Sequence, residues 1–195
     1  MNAFLGFGKF AKQLIDNFEL ANDFVVFDST AEGPATFHFD QHTRYSMDFD
    51  WIVSLGYLHL SKKHSIVSNL VKTGATLKSL IHPTAIVGKR VSLLPGCIVY
   101  PGCLLDNDVI VSKGSVLNNS VIVSHDSTVG ECTYVSPGVV ISGDVKIGCR
   151  CFIGSGSIIS NGVSIGDDSV IGIGSVITKD VPAGCHVIGN ALGLL

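Results

Sequence analysis

The chain of 195 residues has little charge and no long apolar run. Charged residues make up 15% of it, against about 25% in an average soluble protein. With a net charge of −3, it lacks the basic surface that releases counterions from a phosphate backbone, so we expect no nucleic-acid binding. Mean hydropathy is high, at +0.45, but no stretch of about 18 apolar residues occurs, so we expect no membrane-spanning helix.

Cysteine is absent from the first 80 residues, and the six cysteines lie between Cys97 and Cys185. The N-terminus has neither a basic segment nor a cleavage site, which predicts a cytoplasmic protein with reduced thiols. One close pair, Cys149 and Cys151, lacks the two-residue spacing that is usual for zinc ligands. We therefore expect small buried apolar cysteines and no metal.

A six-residue repeat dominates the sequence after residue 86. Every sixth residue from Val87 to Ile177 is Val, Leu or Ile, and the residue two positions earlier is small or β-branched. This period fits neither a helix nor a single strand, but it is typical of a hexapeptide solenoid in which three hexads close one triangular coil. We expect glycine and asparagine at the corners, where positive φ is required. The residue that directly follows the aliphatic one is often glycine, as at Gly88, Gly130, Gly148, Gly154, Gly166 and Gly172.

The first 80 residues have a different pattern. Strands are predicted at residues 1–5, 24–27, 51–55 and 76–81, with a short strand near residues 37–39 in a polar loop over 29–50. Helices are predicted over residues 10–20 and 61–72. This alternation of strands and helices is typical of a small Rossmann-like α/β unit.

A glycine-rich turn follows the first predicted strand. It reads Gly6-Phe7-Gly8-Lys9-Phe10-Ala11, and Asp28 follows the second strand. Glycines at the start of a helix and an acid about 20 residues later are typical of a nucleotide site. A dinucleotide needs two such halves, so the pattern favours a single nucleotide carried by an activated sugar. A tight turn with no ligand is the alternative.

The whole chain resembles the sugar O-/N-acyltransferase family, whose members acetylate sialic acid or nucleotide-linked 4-amino-4,6-dideoxy sugars. The resemblance lies in a small Rossmann-like unit followed by uninterrupted hexads, and in four segments: 80–85, 118–126, 135–138 and 177–184. It implies a Rossmann-like domain over residues 1–80 and a left-handed parallel β-helix of hexapeptide repeats over 81–195. The tail over residues 189–195 departs from the family pattern, so the resemblance does not imply adenine contacts from it.

The resemblance also implies the roles of several residues. His125 is expected to be the general base and Asp126 to orient it. Gly6, Gly8, Lys9, Asp28 and Asn118 are expected to bind the sugar substrate. Tyr134 stands where many relatives have a second histidine, which helps to bind the acetyl group or the substrate. Tyr134 is expected to bind the substrate, since its hydroxyl can donate a hydrogen bond. The other six histidines are expected to be exposed residues without a role.

The 18-residue length of one coil places further residues beside His125. Steps of 18 residues from His125 lead to Gly143, Asn161 and Lys179, and stacked rungs lie about 4.8 Å apart. We expect these residues, with Gly162, to line a track for the pantetheine arm of acetyl-CoA. The Gly143 N–H is expected to stabilise the oxyanion, although plain corner geometry also explains Gly143 and Asn161.

These patterns favour an acetyl-CoA-dependent N-acetyltransferase that acts on a nucleotide-linked amino sugar. The alternatives are a sugar O-acetyltransferase of the sialic-acid type and a non-catalytic β-helix scaffold. A carbonic-anhydrase-like zinc enzyme is rejected, because only His125 lies inside the repeat. Residues 81–195 hold few charged side chains, so their apolar faces predict association. The resemblance implies a homotrimer with sites between subunits.

Overall fold

A computed structural model of the chain describes residues 1–6, 8–20, 24–29 and 36–191. The N-terminal part contains strands β1 (Asn2–Leu5), β2 (Phe24–Phe27), β3 (Thr36–Phe37), β4 (Asp50–Val53) and β5 (Thr76–Leu77). It also contains helices α1 (Lys9–Asn17) and α2 (Leu60–Lys72) and two 3₁₀ segments (Phe39–Thr43 and Tyr57–His59). The five strands pair in parallel in the order β3-β2-β1-β4-β5, which is the strand order of a Rossmann-like sheet.

The elements differ from the sequence expectations mainly at their ends. Helix α1 begins at Lys9 and ends at Asn17, three residues before the predicted end. The polar loop contains the 3₁₀ segment Phe39–Thr43, while residues 30–35 of that loop lie outside the described residues. The strand predicted over residues 76–81 is two strands, because Thr76–Leu77 pairs with β4 whereas Leu80–Ile81 pairs with Ile98–Val99.

The second part is a triangular prism of two-residue parallel strands. Face 1 holds seven strands: Leu80–Ile81, Ile98–Val99, Val116–Leu117, Tyr134–Val135, Phe152–Ile153, Val170–Ile171 and His186–Val187. Face 2 holds seven: Ile86–Val87, Leu104–Leu105, Ile122–Val123, Val140–Ile141, Ile158–Ile159, Val176–Ile177 and Asn190–Ala191. Face 3 holds five: Ser92–Leu93, Ile110–Val111, Thr128–Val129, Lys146–Ile147 and Ser164–Ile165.

The 18-residue register predicted from the hexads is confirmed up to Ile177, which pairs with Ile159. Beyond that point the coil shortens, because Val181 pairs with Ile165 and Val187 pairs with Ile171. The repeat also starts one hexad earlier than the aliphatic pattern indicated, at Leu80–Ile81.

The corners of the prism share one backbone property, a positive φ angle. Every sixth residue from Arg90 to Gly174 has a positive φ, whether or not it is glycine. The glycines that directly follow the aliphatic residues do not occupy these positions. Gly88, Gly130 and Gly154 have no positive φ, and an added Cβ on each would collide with the backbone of the next coil. These glycines permit close stacking of coils rather than an unusual dihedral angle.

Small polar residues of the repeat are buried inside the prism, where they bond to the next coil. The Ser115 hydroxyl donates to the Gly130 carbonyl at 2.6 Å, and the Thr133 hydroxyl donates to the Gly148 carbonyl at 2.7 Å. Cys97, Cys103 and Cys151 occupy equivalent positions and are fully buried, as expected, and Cys132 is buried too. The expectation that all six cysteines are buried is wrong for Cys149 and Cys185, which are half-buried. The buried hydroxyls of Ser115 and Thr133 are therefore hydrogen-bonded to protein carbonyls and need no water.

The N-terminal unit packs on the outer side of face 1. The Phe10 ring lies 6.2 Å from that of Tyr134, the Phe18 ring lies 5.5 Å from that of Tyr100, and buried residues of both parts form one apolar cluster. The division into domains at residue 80 stays a prediction.

Face 2 has no such cover in the described part of the chain. Its outward side is an aliphatic stripe, defined by Ile86, Leu104, Ile122, Val140, Ile158 and Val176. Four of these side chains are exposed, by 65%, 38%, 38% and 45% for Ile86, Leu104, Ile122 and Ile158. A continuous apolar surface of this kind usually marks an interaction site.

Candidate active site

His125 lies in the turn that joins face 2 to face 3, between Ile122–Val123 and Thr128–Val129. Its Nδ1 lies 2.9 Å from Asp126 Oδ2, and both side chains are about half exposed. A carboxylate only accepts hydrogen bonds, so this contact holds the proton on Nδ1 and leaves Nε2 with its lone pair. The predicted pair therefore has the geometry of an oriented general base.

Three carboxylates affect the charge state of His125. The hydrogen bond to Asp126 raises the pKa of His125 above its ordinary value of 6.5, and the negative charges of Asp126, Asp144 and Asp106 act in the same direction. Asp126 itself adopts a left-handed φ of 59°, because it occupies one of the positive-φ corners. The repeat thus fixes where the carboxylate is placed relative to the imidazole.

Gly143 lies directly beside the imidazole. A Cβ on Gly143 would be 2.6 Å from both Cε1 and Nε2 of His125, and 3.2 Å from Asn161 Nδ2. The φ of Gly143 is not positive, so corner geometry does not explain the glycine. The absence of a side chain at residue 143 is what leaves room for the ring of His125.

The stacking predicted along this edge holds for three of the four rungs. The Asp144 N–H donates to the His125 carbonyl, and the Gly162 N–H donates to the Gly143 carbonyl, each at 3.0 Å. Asn161 and Gly162 are exposed. The placement of Lys179 was wrong: it lies after Ile177 in a turn two residues shorter than the one below it, so it is outside the 18-residue register.

Asn118 and Tyr134 come together, but not beside His125 of the same chain. Asn118 Nδ2 donates to the Tyr134 hydroxyl at 2.8 Å, and burial raises the pKa of that phenol. Tyr134 is on face 1, nine residues and half a coil after His125. His125 is on the opposite edge, between faces 2 and 3, so the body of the prism separates the two residues.

Gly6 and Asp28 line one cavity of ≈ 180 Å³, together with Ser29, Phe39, Leu55, His59 and Lys62. They meet because β1 and β2 are parallel neighbours whose carboxyl ends reach the same edge of the sheet. Gly6 has a φ of +90°, which turns the chain toward α1, while Phe7 lies outside the described residues. Gly8 precedes the first residue of α1.

A second cavity of ≈ 350 Å³ lies between the N-terminal unit and face 1. Lys9, Phe10, Tyr57, His59 and Tyr134 line it, so the structure places Lys9 here rather than in the first cavity. His59 borders both cavities and Lys62 borders the first, but neither belongs to a motif that would single it out in the sequence.

The expectation that six histidines are exposed is wrong for His42, which is 8% exposed. It is also wrong for His64 and His82, which are half-buried. The Nδ1 of His42 donates to the Phe39 carbonyl at 2.7 Å. In the described residues, no group of three or more His, Cys, Asp or Glu side chains is arranged to hold a metal ion. Neither described helix has the length and apolar character that a bilayer crossing demands.

Comparisons with known proteins agree with this architecture. Residues 144–179 match a family model described as the hexapeptide repeat of succinyl-transferase. No curated protein gave a significant match.

Solved structures match nearly the whole chain. The acetyltransferase domain of PglB from Neisseria gonorrhoeae FA1090 has a TM-score of 0.86 and 25% identity over 96% of each chain, and it has been solved with acetyl coenzyme A. PerB from Caulobacter crescentus, in complex with CoA and GDP-perosamine, has a TM-score of 0.84 and 26% identity over 96% of this chain and 93% of its own. WeeI from Acinetobacter baumannii AYE has a TM-score of 0.82 at 21% identity, over 97% and 96% of the two chains, and supports the fold alone.

These matches confirm the fold class predicted from the sequence, a small Rossmann-like unit followed by a left-handed parallel β-helix of hexapeptide repeats. The chain resembles the sugar O-/N-acyltransferase family over nearly its whole length.

Proposed function

We propose that the chain is an acetyl-CoA-dependent N-acetyltransferase whose acceptor is a nucleotide-linked amino sugar of the 4-amino-4,6-dideoxy type. The observation that carries the proposal is the His125 imidazole, which is oriented by Asp126 and lies over the bare backbone of Gly143. The similar structures of PglB and PerB, which hold acetyl coenzyme A and CoA with GDP-perosamine, support it.

The proposed reaction is a direct transfer. The sugar amine attacks the thioester carbonyl and forms a C–N bond, while Nε2 of His125 accepts a proton from the amine. The tetrahedral oxyanion is stabilised by the N–H of Gly143. The C–S bond then breaks, and the proton passes to the leaving thiolate of coenzyme A. Gly143, Asn161 and Gly162 form the proposed cofactor track along the His125 edge.

The charges around His125 favour an amine over a hydroxyl acceptor. Asp106, Asp126 and Asp144 are close enough to His125 to raise its pKa, so the same carboxylates attract an ammonium group as it approaches. A neutral sugar hydroxyl gains nothing comparable from three negative charges.

The site is proposed to lie between two copies of the chain in a homotrimer. A sugar held against Tyr134 on face 1 is separated from His125 of its own chain by the prism. The aliphatic stripe of face 2 borders the His125 edge and offers the apolar surface for association. His125 of one protomer then meets the sugar bound by its neighbour.

The test is a panel of UDP-, dTDP- and GDP-linked amino sugars, assayed for release of coenzyme A. The wild type should turn over at least one of them, and His125→Ala should lower kcat by about 10²- to 10⁴-fold, the usual contribution of a general base. Activity of His125→Ala should recover at high pH, where the amine loses its proton unaided.

Other outcomes would decide against the proposal. Transfer to hydroxyl acceptors, with no recovery of the His125→Ala variant at high pH, would indicate an O-acetyltransferase. A near-normal kcat for His125→Ala at neutral pH would remove the proposed mechanism while leaving the fold intact.

A further inference from the structure

The edge of the prism that carries His125 also carries a column of charged residues. Arg90, Asp108, Asp126 and Asp144 follow one another at intervals of 18 residues, and their φ angles are 59°, 63°, 59° and 58°. The Asp144 N–H donates to the His125 carbonyl at 3.0 Å, which confirms the register of this edge. The three aspartates therefore lie one above another, on rungs about 4.8 Å apart.

Arg90 holds the carboxylate of Asp108 by both oxygens. Nε and Nη2 of Arg90 donate to Oδ1 and Oδ2 of Asp108, each at 2.6 Å. A planar guanidinium that binds both oxygens fixes the direction of a carboxylate as well as offsetting its charge. The hydrogen bonds from Arg90 lower the pKa of Asp108, so Asp108 stays ionised and directed toward the rung below, away from Asp126.

Asp126 depends on this arrangement because it has a task of its own. Its Oδ2 lies 2.9 Å from Nδ1 of His125, and a second carboxylate directed at it from an adjacent rung would repel it. The negative charge of Asp126 also raises the pKa of Arg90, although less than Asp108 does. The guanidinium thus lies within electrostatic range of both carboxylates.

We infer that Arg90, acting through Asp108, is a positioning residue for the pair formed by His125 and Asp126. The inference rests on the proposed function and adds to it a residue two rungs below the base. While Arg90 holds Asp108, the rung beneath Asp126 is neutralised, and the Asp126 carboxylate is left to orient the imidazole. The effect of Arg90 on folding stability should be small, because an exposed ion pair contributes little.

The test is an NMR titration of the His125 ring, which needs no substrate. Arg90→Ala leaves Asp108 as an unpaired negative charge, so the titration midpoint of His125 should move to higher pH. The expected change is about 0.3 pH units at low ionic strength, the size produced in water by a unit charge about 10 Å away. Asp108→Asn lets Arg90 turn toward Asp126 and draw it from the ring, so the midpoint should move to lower pH.

The double variant and added salt sharpen the test. Arg90→Ala combined with Asp108→Asn removes one charge of each sign, so the midpoint of His125 should return close to that of the wild type. In 1 M salt, where the Debye length is about 3 Å, the shift caused by Arg90→Ala should largely disappear. Profiles of kcat/KM against pH should show the same displacements. A purely structural role for Arg90 would not produce shifts of opposite sign in the two single variants.

Two matched variants separate this pair from general effects of charge. Arg150 binds Asp168 in the same two-bond manner, each at 2.7 Å, in the turn between faces 3 and 1. Arg150→Ala should leave the midpoint of His125 unchanged. Lys89→Ala removes a positive charge next to Arg90 but leaves the pair with Asp108 intact, so its shift should be smaller. Thermal unfolding verifies that each variant is folded.

The outcomes distinguish the inference from the function beneath it. If the wild type acetylates an amino sugar while Arg90→Ala and Asp108→Asn shift the midpoint in the same direction or not at all, the inference alone is wrong. A shift in Lys89→Ala as large as that in Arg90→Ala would also overturn it. If the opposite shifts are found but no amino sugar releases coenzyme A, the coupling of Arg90 to His125 holds and the proposed function alone fails.

Discussion

His125 and Gly143 are matched at the scale of single atoms. The imidazole occupies the space that a Cβ at residue 143 would need, and its other nitrogen is held by Asp126. A base that must reach a reacting amine depends on position as much as on pKa, and a displacement of about 1 Å can lower a rate by about 100-fold. The glycine is therefore part of the proposed catalytic geometry.

Gly143→Ala should displace the imidazole and lower kcat by about 100-fold with little loss of stability, since φ at residue 143 is not positive. In a His125→Ala background the clash disappears, so the same substitution should have little further effect on kcat. Steady-state kinetics of the four variants measure this coupling. Additive effects would show that Gly143 acts independently of the ring.

The pH dependence of the reaction follows from the Asp126 contact. His125 acts as a base only when neutral, and its pKa is raised above 6.5, chiefly by the hydrogen bond from Nδ1 to Asp126. The rate should therefore rise with pH through that raised pKa and then level off. Asp126→Asn should move this rise to lower pH and also lower the plateau, because the ring is less well oriented.

Profiles of kcat/KM for the wild type and Asp126→Asn, across the range of about pH 5 to 8 in which histidine titrates, test this prediction. An unchanged midpoint in the variant would mean that Asp126 does not set the protonation state of the base.

At the scale of the repeating element, glycine has two separate uses. One class occupies positive-φ corners, where Asp, Ser, Cys and Arg also occur. The other class follows the inward aliphatic residue, and an added Cβ on Gly88, Gly130 or Gly154 would collide there with the backbone of the next coil. The sequence shows glycine at both places but does not distinguish the reasons for it.

Gly130 and Gly138 provide a matched comparison of the two classes. Gly130→Ala would place a Cβ against the Gly148 carbonyl and should cost about 3 kcal/mol, the upper end for overpacking. Gly138 has a φ of +68° with open space around it, so Gly138→Asn should change stability by no more than about 0.5 kcal/mol. Urea denaturation of both variants measures the difference, and equal costs would refute the distinction.

At the scale of the whole molecule, the position of Tyr134 half a coil from His125 matters most. Tyr134 of face 1 lines the larger cavity, whereas His125 lies on the opposite edge beside the aliphatic stripe of face 2. One chain thus carries both halves of the proposed site but does not bring them together, which is why the proposed enzyme requires an oligomer.

Ile122 lies near the centre of the aliphatic stripe and is 38% exposed. Ile122→Lys should preserve the coil, because the side chain points outward, but it should convert a trimer into monomers and abolish activity. Analytical ultracentrifugation and the coenzyme A assay measure the two effects. A wild type that is monomeric at micromolar concentration would rule out the shared site.

A mixing experiment addresses the shared site directly. Trimers reassembled from His125→Ala and Asp28→Ala chains contain interfaces at which both residues are intact, so activity should reappear. If mixed trimers form and remain inactive, the two residues do not serve one site across the interface.

The hexad pattern alone determined the coil, the 18-residue register and the stacking of Gly143 and Asn161 on His125. A fixed period leaves each residue only one position along the prism. Asp28 and Gly6 were also predictable, because the carboxyl ends of neighbouring parallel strands share an edge.

Only the tertiary structure decided where the two parts of the chain meet and what lines the space between them. His59 and Lys62 border the cavities because α2 packs between the sheet and the prism, and no local pattern records that packing. The shortened coil after Ile177, which takes Lys179 out of register, follows from strand pairing that the aliphatic spacing no longer specifies. The sequence specifies contacts that recur along a repeat, whereas contacts between unlike elements depend on how those elements pack.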